Sequence, residues 1–598
     1  MKIVSRRLIV ITDAFVQHVR RACPSAAMML VALAAAAPAP SEATDRHRPP
    51  LEPVICDELA TDPDNGLLGN PVVKSATSQI IAASGTNLAR CQVNLLYGTS
   101  PEQNINIRVD LPLNSLDGGT GGVEGAWNGR TQGIGGGGCA GVNLSNPNAF
   151  SAQVNAGYVG SGTDTGHAGG DCTPGVNPDG TYNFQFIQDF IRNAIKAQVL
   201  FSKSIARTYY GEKPAYNYWN GCSTGGRQGY LLAQELGGEL DGILANAPAI
   251  YWTRFQTAQM WGQVVMRELL GGPIAAAKLN QATASAVAAC DAADGVADGV
   301  IDDPRTCKFS AKANVCGTET APASNCLTPD EAEAIDKIWD GPRNADGEKI
   351  WFGLDRGTSL PALNGTNPFF LGVIQFQWNV HDRTFDWTTV SQDEYPQMAQ
   401  DGSRNIADVT DTFGNLDAFR RNGGKLLTFV GMNDQLIMPR GVIHYYREMA
   451  SRYGRHGKEP DFDRLQRFYR LFRAPGVAHC GGGVGPQPQG LFDALVNWVE
   501  NDVAPETILA ASGPPSAPTR TRPLCPYPQT AIYKGSGSTD DANNFVCGGN
   551  LEKRRVVCAD VLTKYKHEVK GPLDFSDSGV NRFECFREGH GHRHHDDD

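Results

Sequence analysis

The feature that most constrains this chain is the run Tyr216-Asn217-Tyr218-Trp219-Asn220-Gly221-Cys222-Ser223-Thr224-Gly225-Gly226-Arg227-Gln228-Gly229. An aromatic, β-prone segment leads into Gly-x-Ser-x-Gly at Gly221, Ser223 and Gly225. Tyr230-Leu231-Leu232-Ala233-Gln234-Glu235-Leu236 then continues with helical spacing. Strand, sharp turn and helix in that order lift a serine hydroxyl above a sheet, and the glycines avoid collision with the adjoining strand and helix. The free N–H groups at the helix start face the place where an oxyanion would form. A flexible small-residue loop is the bland alternative; it requires neither the flanking strand and helix nor the cysteine directly before the serine.

At 598 residues the chain can bury a large core and exceeds one domain-sized unit. Residues 1–43 read as an export signal, with a basic region ending at Arg20-Arg21, an apolar stretch from Ser25 to Ala37 and a small-residue site at Ser41-Glu42-Ala43. They carry five basic and two acidic side chains, so their removal takes the net charge from −11 to −14. Such an acidic chain argues against a nucleic-acid partner, and the apolar stretch is too short for stable membrane anchorage. Of 15 cysteines, Cys23 lies in the signal, leaving an even number in an exported chain, which reads as disulfides. Close spacing suggests Cys290 with Cys307, Cys316 with Cys326 and Cys525 with Cys547, while Cys56 and Cys91 bracket the first segment. Spacing alone leaves Cys139, Cys172, Cys558 and Cys585 unassigned.

The order of elements is that of an α/β fold with a parallel sheet. Residues 104–111 alternate with period two, as a half-buried strand does. Residues 184–204 form an amphipathic helix, and 241–249 are apolar on both faces, as in a strand buried within a parallel sheet. The glycine loop 133–141 lacks a phosphate-binding signature. Ahead of a nucleophilic serine, such a loop supplies a second oxyanion N–H, here from Gly137 or Gly138, with the first from Thr224. From 251 to 405 the βαβ rhythm gives way to aromatic, cysteine-rich sequence, an insertion over the sheet's active edge. Lys425 to Asp434 restores the sheet, with Asp434 just beyond a buried strand. His479 follows another strand in a glycine-flanked loop, giving the order Ser223, Asp434, His479. His167 precedes the serine and is assigned a structural role; His381, His444 and His456 are assigned to the surface. Cys222 precedes the serine and Cys480 follows the histidine, so convergence of the two side chains brings those cysteines within bridging distance.

Within the insertion, Asp291, Asp294 and Asp298 interleave with glycines, and the carbonyls of Val296 and Val300 complete an oxygen donor set suited to Ca2+. The Asp spacing is not that of an EF-hand. Gly221-Cys222-Ser223-Thr224-Gly225-Gly226-Arg227-Gln228-Gly229, with Cys222-Ser223, Asp434 and His479-Cys480, resembles the tannase and feruloyl esterase family over nearly the whole mature chain. The resemblance implies an α/β-hydrolase fold with a large inserted lid domain, a structural Ca2+ in that lid, and hydrolysis of small-molecule esters of aromatic acids, of feruloyl, galloyl or terephthalate-monoester type, through a Ser-His-Asp triad and an acyl-enzyme. The implied layout is a signal at 1–43, catalytic segments at 44–250 and 406–588 around a lid at 251–405, and a polar His/Asp tail at 589–598. Arg356, Trp378, Phe385 and Trp387 are candidates to line the substrate pocket. Two rival functions share these residues: a serine hydrolase of other specificity, such as a peptidase or general esterase, and a hydrolase-fold binding protein that has lost activity.

Overall fold

The computed structural model describes residues 52–61, 67–120, 127–344, 346–411, 414–454, 460–514 and 516–553. The expected signal, the tail, His456, Cys558 and Cys585 lie outside the described residues. A nine-stranded mixed sheet organises the chain: β1 Val73–Ile81, β2 Arg90–Tyr97, β3 Ile105–Pro112, β4 Arg130–Ile134, β5 Val159–Thr163, β6 Tyr216–Cys222, β7 Gly242–Asn246, β8 Lys425–Gly431 and β9 Tyr469–Ala474. Spatially they run β1-β2-β3-β5-β4-β6-β7-β8-β9. β1, β2, β3 and β5 pair antiparallel, whereas β5-β4-β6-β7-β8-β9 are all parallel.

The helices used below are α1 Ala194–Tyr210, α2 Thr224–Glu235, α3 Trp252–Ala258, α4 Trp261–Leu270, α5 Ala276–Cys290, α6 Pro329–Asp340, α7 Phe370–Val380, α8 Tyr395–Thr410, α9 Pro439–Tyr453 and α10 Leu491–Asn501. Sequence spacing places an amphipathic helix at 184–204; the chain there is helical from Phe184, passes through a π turn at Asp189–Asn193 and continues as α1 to Tyr210.

Why the parallel half is buried on both faces can be read from side-chain alternation. In β7, Ile243 and Ala245 join the same core as α2, α3 and α9, while Leu244 faces the opposite core with Leu495 of α10. In β8, Leu426 and Val430 share the first side, and Leu427 and Phe429 the second. Both faces are therefore apolar, as a covered parallel sheet requires. The antiparallel end is one-sided. Val93, Leu95, Ile107 and Val109 pack on Ala197, Phe201 and Ile205 of α1, and the alternate residues Asn94, Asn106 and Arg108 project from the other face.

Between β7 and β8 run α3 to α8. The last of them continues through residue 405 to Thr410, because Ile406 remains in the core. α6 begins with a reciprocal capping box between Thr328 and Glu331. Beyond β9 lie a three-stranded sheet (β10 Gln487–Pro488, β11 Ile508–Ser512, β12 Arg520–Leu524) and a two-stranded one (β13 Thr530–Tyr533, β14 Phe545–Gly548). Disulfides join Cys56 to Cys91, Cys290 to Cys307, Cys316 to Cys326 and Cys525 to Cys547, and Cys139, left unassigned by spacing, pairs with Cys172.

Candidate active site

The turns beyond the carboxyl ends of β4, β6, β8 and β9 carry the candidate residues, the edge where open α/β sheets hold their ligands. Beyond β6 comes Ser223, at φ 61° and ψ −123°. A β-carbon-bearing residue adopts positive φ only under constraint. Here the constraint is two-sided: Ser223 N–H donates to Asn246 O at 3.0 Å, and Ser223 O accepts from Arg227 and Ala249 N–H groups, each at 3.0 Å. Glycine is required beside it. A Cβ on Gly221 would lie 2.4 Å from the Gly225 carbonyl carbon, and one on Gly135 would lie 2.4 Å from Gly225 Cα. β4's exit and the start of α2 thus touch backbone to backbone.

That contact positions the glycine loop. Gly136 N–H donates to Gln228 Oε1 at 3.0 Å, and Thr224 Oγ1 donates to Gly138 O at 2.6 Å. Gly138 sits in the left-handed region, φ 60°. His167 Nε2 lies 2.7 Å from Cys139 O, and the Cys139–Cys172 bridge ties the loop again. His167 therefore braces the loop, the structural role its chain position assigns it.

Asp434 is fully buried beyond β8; its Oδ1 accepts from Leu436 and Ile437 N–H groups at 2.9 and 2.8 Å. Its Oδ2 is 2.9 Å from His479 Nδ1. His479 N–H donates to Gln435 Oε1 at 3.1 Å, and the Gln487 amide clasps Gly482 and Gly485 to shape the rest of the histidine loop. Cys222 and Cys480 form a disulfide with Cα atoms 5.9 Å apart, so the residues on their far sides, Ser223 and His479, are brought into one neighbourhood. His479 hydrogen-bonds through N and Nδ1, and among the described residues no hydrogen bond joins its Nε2 to Ser223 Oγ.

One turn into α2, Arg227 is fully buried between the Phe190 and Trp252 rings, 5.2 and 5.1 Å from their centroids. Burial pulls its guanidinium down to about 9. The sequence contains it in the nucleophile run but gives no sign that it stacks beneath the turn.

Of the four residues proposed to line a pocket, two have other employment. Trp378 Nε1 donates to Cys172 O at 3.0 Å, and its ring covers Gly175, where a Cβ would lie 2.1 Å away. Arg356 donates to Phe309 O at 2.7 Å and stacks over Trp339. Phe385 and Trp387 are half-buried against the core. Leu371 of α7, which sequence reasoning missed, lies 3.8 Å from where a Cβ of Gly138 would be. Two histidines depart from their surface assignment. His444 is buried beside Glu448, and His381 is half-buried at the end of α7, with Gly180 O 3.2 Å away.

The acidic loop folds on itself. Asp291 accepts from Asp298, Gly299 and Val300 N–H groups at 3.0, 2.9 and 3.2 Å, and Arg522 pairs with Asp298. Gly295 and Gly299 take left-handed φ, which lets the chain wind while Val296 and Val300 stay buried. Burial raises the Asp294 carboxyl to about 6, with Asp302 and Asp298 pushing the same way. Among the described residues, no three His, Cys, Asp or Glu side chains converge as a metal cluster. The donor chemistry of the loop, three carboxylates and two backbone carbonyls within ten residues, nonetheless suits a hard cation.

Comparison with known proteins places this geometry among relatives. A family model described as tannase and feruloyl esterase matches residues 123–548. The chain is 36% identical over 492 residues to a probable feruloyl esterase of Arthroderma benhamiae, covering 77% of this chain and 86% of that one. It is 32% identical over 438 residues to an uncharacterised esterase of Xanthomonas campestris pv. campestris, covering 65% and 75% respectively. Among solved structures, feruloyl esterase B from Aspergillus oryzae superposes with a TM-score of 0.67 at 24% identity, covering 80% of this chain and 96% of that one. Tannin acyl hydrolase from Aspergillus niger gives 0.68 at 22% identity, covering 83% and 93%. At those identities the two structures establish a shared fold.

Proposed function

This chain belongs to the tannase and feruloyl esterase family and is a carboxylic ester hydrolase, and from that premise we propose that it cleaves esters of aromatic acids through an acyl-enzyme on Ser223. The observation that carries the reading is the 2.9 Å contact of His479 with buried Asp434, held beside the Ser223 turn by the Cys222–Cys480 bridge. His479 takes the hydroxyl proton as Ser223 attacks the ester carbonyl, then delivers it to the leaving alcohol. Asp434 fixes the imidazole with Nδ1 protonated and stabilises its charge once Nε2 is also protonated. The Thr224 N–H, at the start of α2, and that of Gly137 or Gly138 receive the oxyanion; loss of one such donor costs about 3 kcal/mol. Water then attacks the acyl-enzyme by the same relay, releasing the aromatic acid and restoring the serine.

The candidate substrates are esters of feruloyl, galloyl or terephthalate-monoester type, and the name of the Arthroderma relative favours the first. In this reading the insertion 251–405 acts as the lid. A structural Ca2+ would be held by Asp291, Asp294, Asp298 and the carbonyls of Val296 and Val300, and its charge would offset the crowded carboxylates. The bridges between Cys residues fit an oxidising, secreted or periplasmic location, and no helix among the described residues is long and apolar enough to cross a membrane.

The test is Ser223→Ala assayed on methyl ferulate and methyl gallate, with fluorophosphonate labelling of the parent. We expect a folded variant with turnover at background, and parent protein labelled at Ser223. Normal turnover by the variant, or labelling elsewhere, overturns the assignment.

A further inference from the structure

The glycine loop beside the serine turn has one unpacked stretch. Gly135 and Gly136 are pressed into the structure, where added β-carbons would lie 2.4 Å from Gly225 Cα and 2.0 Å from Ala140 O. A β-carbon on Gly137 would meet no atom of the described residues within 4 Å, and one on Gly138 only Leu371, at 3.8 Å. The tip that offers the second oxyanion N–H therefore owes its place to what grips it on either side. On one side that is the Thr224 hydroxyl at Gly138 O. On the other it is Cys139, fully buried and bridged to Cys172.

Cys172 follows exposed chain at Gly169, Gly170 and Asp171, and its support comes from α7 of the insertion. Buried Trp378 donates Nε1–H to Cys172 O at 3.0 Å, and its ring lies on Gly175, where only the lack of a side chain makes room for it. Further along the same segment, the Tyr182 hydroxyl donates to Trp378 O at 2.9 Å. One helical residue thus grips the segment 172–182 at both ends.

Spacing along α7 shows how a helix can do this. Leu371 and Trp378 are seven residues apart, about two turns, and so share a face. Along that face Leu371 meets Gly138, and Trp378 meets the far end of the bridge. Gly372, Phe376 and Asn379 form a neighbouring stripe that holds the helix to the rest of the insertion: Gly372 against Met260, Phe376 against Tyr395, and Asn379 donating to Thr257 Oγ1 at 3.1 Å. Anchored by one stripe, α7 lies along the glycine loop with the other. We propose that Trp378 is a positioning residue for the oxyanion loop: by its indole N–H on Cys172, and through the Cys172–Cys139 bridge, it sets where the N–H of Gly137 or Gly138 points. Its consequence for turnover depends on Ser223 being the nucleophile; the mechanical link does not. A ring lining the substrate pocket would govern KM, whereas one that orients a donor needed when the carbonyl oxygen gains charge governs kcat.

Trp378→Phe removes the indole N–H, and Tyr182→Phe, the milder change, loosens the same grip. On methyl ferulate we expect Trp378→Phe to lower kcat roughly tenfold and Tyr182→Phe about threefold, each with KM within about twofold of the parent. In a background carrying Cys139→Ala and Cys172→Ala, itself slowed, Trp378→Phe should cost no more than about twofold further, because the route it acts through is gone. Hydrogen exchange read by mass spectrometry over residues 135–141 should quicken in Trp378→Phe and in the bridge-free variant, and no further when the two are combined. Unchanged kcat in both single variants, a rise in KM in place of a fall in kcat, equal losses with and without the bridge, or unaltered exchange at 135–141 each overturns the proposal. Should Trp378→Phe not fold, Tyr182→Phe carries the same comparisons. The exchange measurement makes no use of the nucleophile, so turnover retained by Ser223→Ala would sink the acyl-enzyme reading and leave the link between Trp378 and the loop standing.

Discussion

Ser223 and Thr224 divide the work of the turn between backbone and side chain. The serine is forced to positive φ by bonds on both its peptide groups, and the threonine hydroxyl latches the glycine loop through Gly138 O. Thr224→Val keeps the shape and removes only that latch at a site 1% exposed. The Gly138 carbonyl is only part-buried, so losing its partner costs about 1 kcal/mol, the low end for an unpaired group, and a loosened loop misplaces its N–H. We expect kcat on methyl ferulate to fall roughly tenfold to a hundredfold with KM little changed; steady-state kinetics check this, and an unchanged kcat would place the latch outside the reaction. Ser223, Asp434 and His479 could be picked out as candidates because turn and strand context marks such positions locally, and the structure sets His479 against Asp434 and ties its loop to the Ser223 turn. Thr224's hydroxyl contact, Gln487's clasp on the histidine loop and Leu371's approach to Gly138 were not, since each joins segments that only tertiary packing brings together. The surface assignment of His444 failed for a related reason. Its charged neighbours in sequence hide the fact that α9 turns this face inward onto Tyr251 and Phe352.

Among the elements, strands were easier to read than the insertion. Alternation located β3 and the apolar runs located β7 and β8 because the sheet imposes its period directly on the sequence. The helices from α3 to α8 bury polar side chains such as Gln263 and Asn379, which bond across to Leu363 and Gly365 or to Thr257. Those polar positions blur the apolar stripe that would have revealed helical spacing. The acidic loop that follows α5 is fastened at both ends: by Cys290–Cys307 within the insertion and by Arg522 of β12 on Asp298. If Ca2+ belongs there, stripping the parent with EGTA should lower its Tm by several degrees, and added Ca2+ should restore it, while Asp294→Asn should blunt the response. Calorimetry on the three samples decides it, and a Tm indifferent to chelator and Ca2+ would remove the ion from the reading.

At the scale of the molecule, one disulfide spans 258 residues to join the Ser223 turn to the His479 loop. Closing so long a loop stabilises by on the order of 5 kcal/mol in the chain-entropy account, though measured gains are often smaller. The pairing of Cys222 with Cys480 lowers that entropy at the place where the Ser223 turn is tied to the His479 loop. The double variant Cys222→Ser, Cys480→Ser should therefore lose activity at temperatures well below its own unfolding transition; parallel activity and circular-dichroism melts measure the gap, and coincident losses would mean that the bridge serves stability alone. The pairing was visible in sequence once the two catalytic candidates were chosen, whereas Cys139–Cys172 was hidden because neither cysteine neighbours a residue with an assigned partner. The helices between β7 and β8 share one continuous core with α2 and α9: Trp252, Tyr251 and Trp351 pack in the same cluster as Tyr230 and Tyr445. A graft of that region from a relative would thus arrive without its foundations, and exchanging it calls for exchanging α2 and α9 along with it.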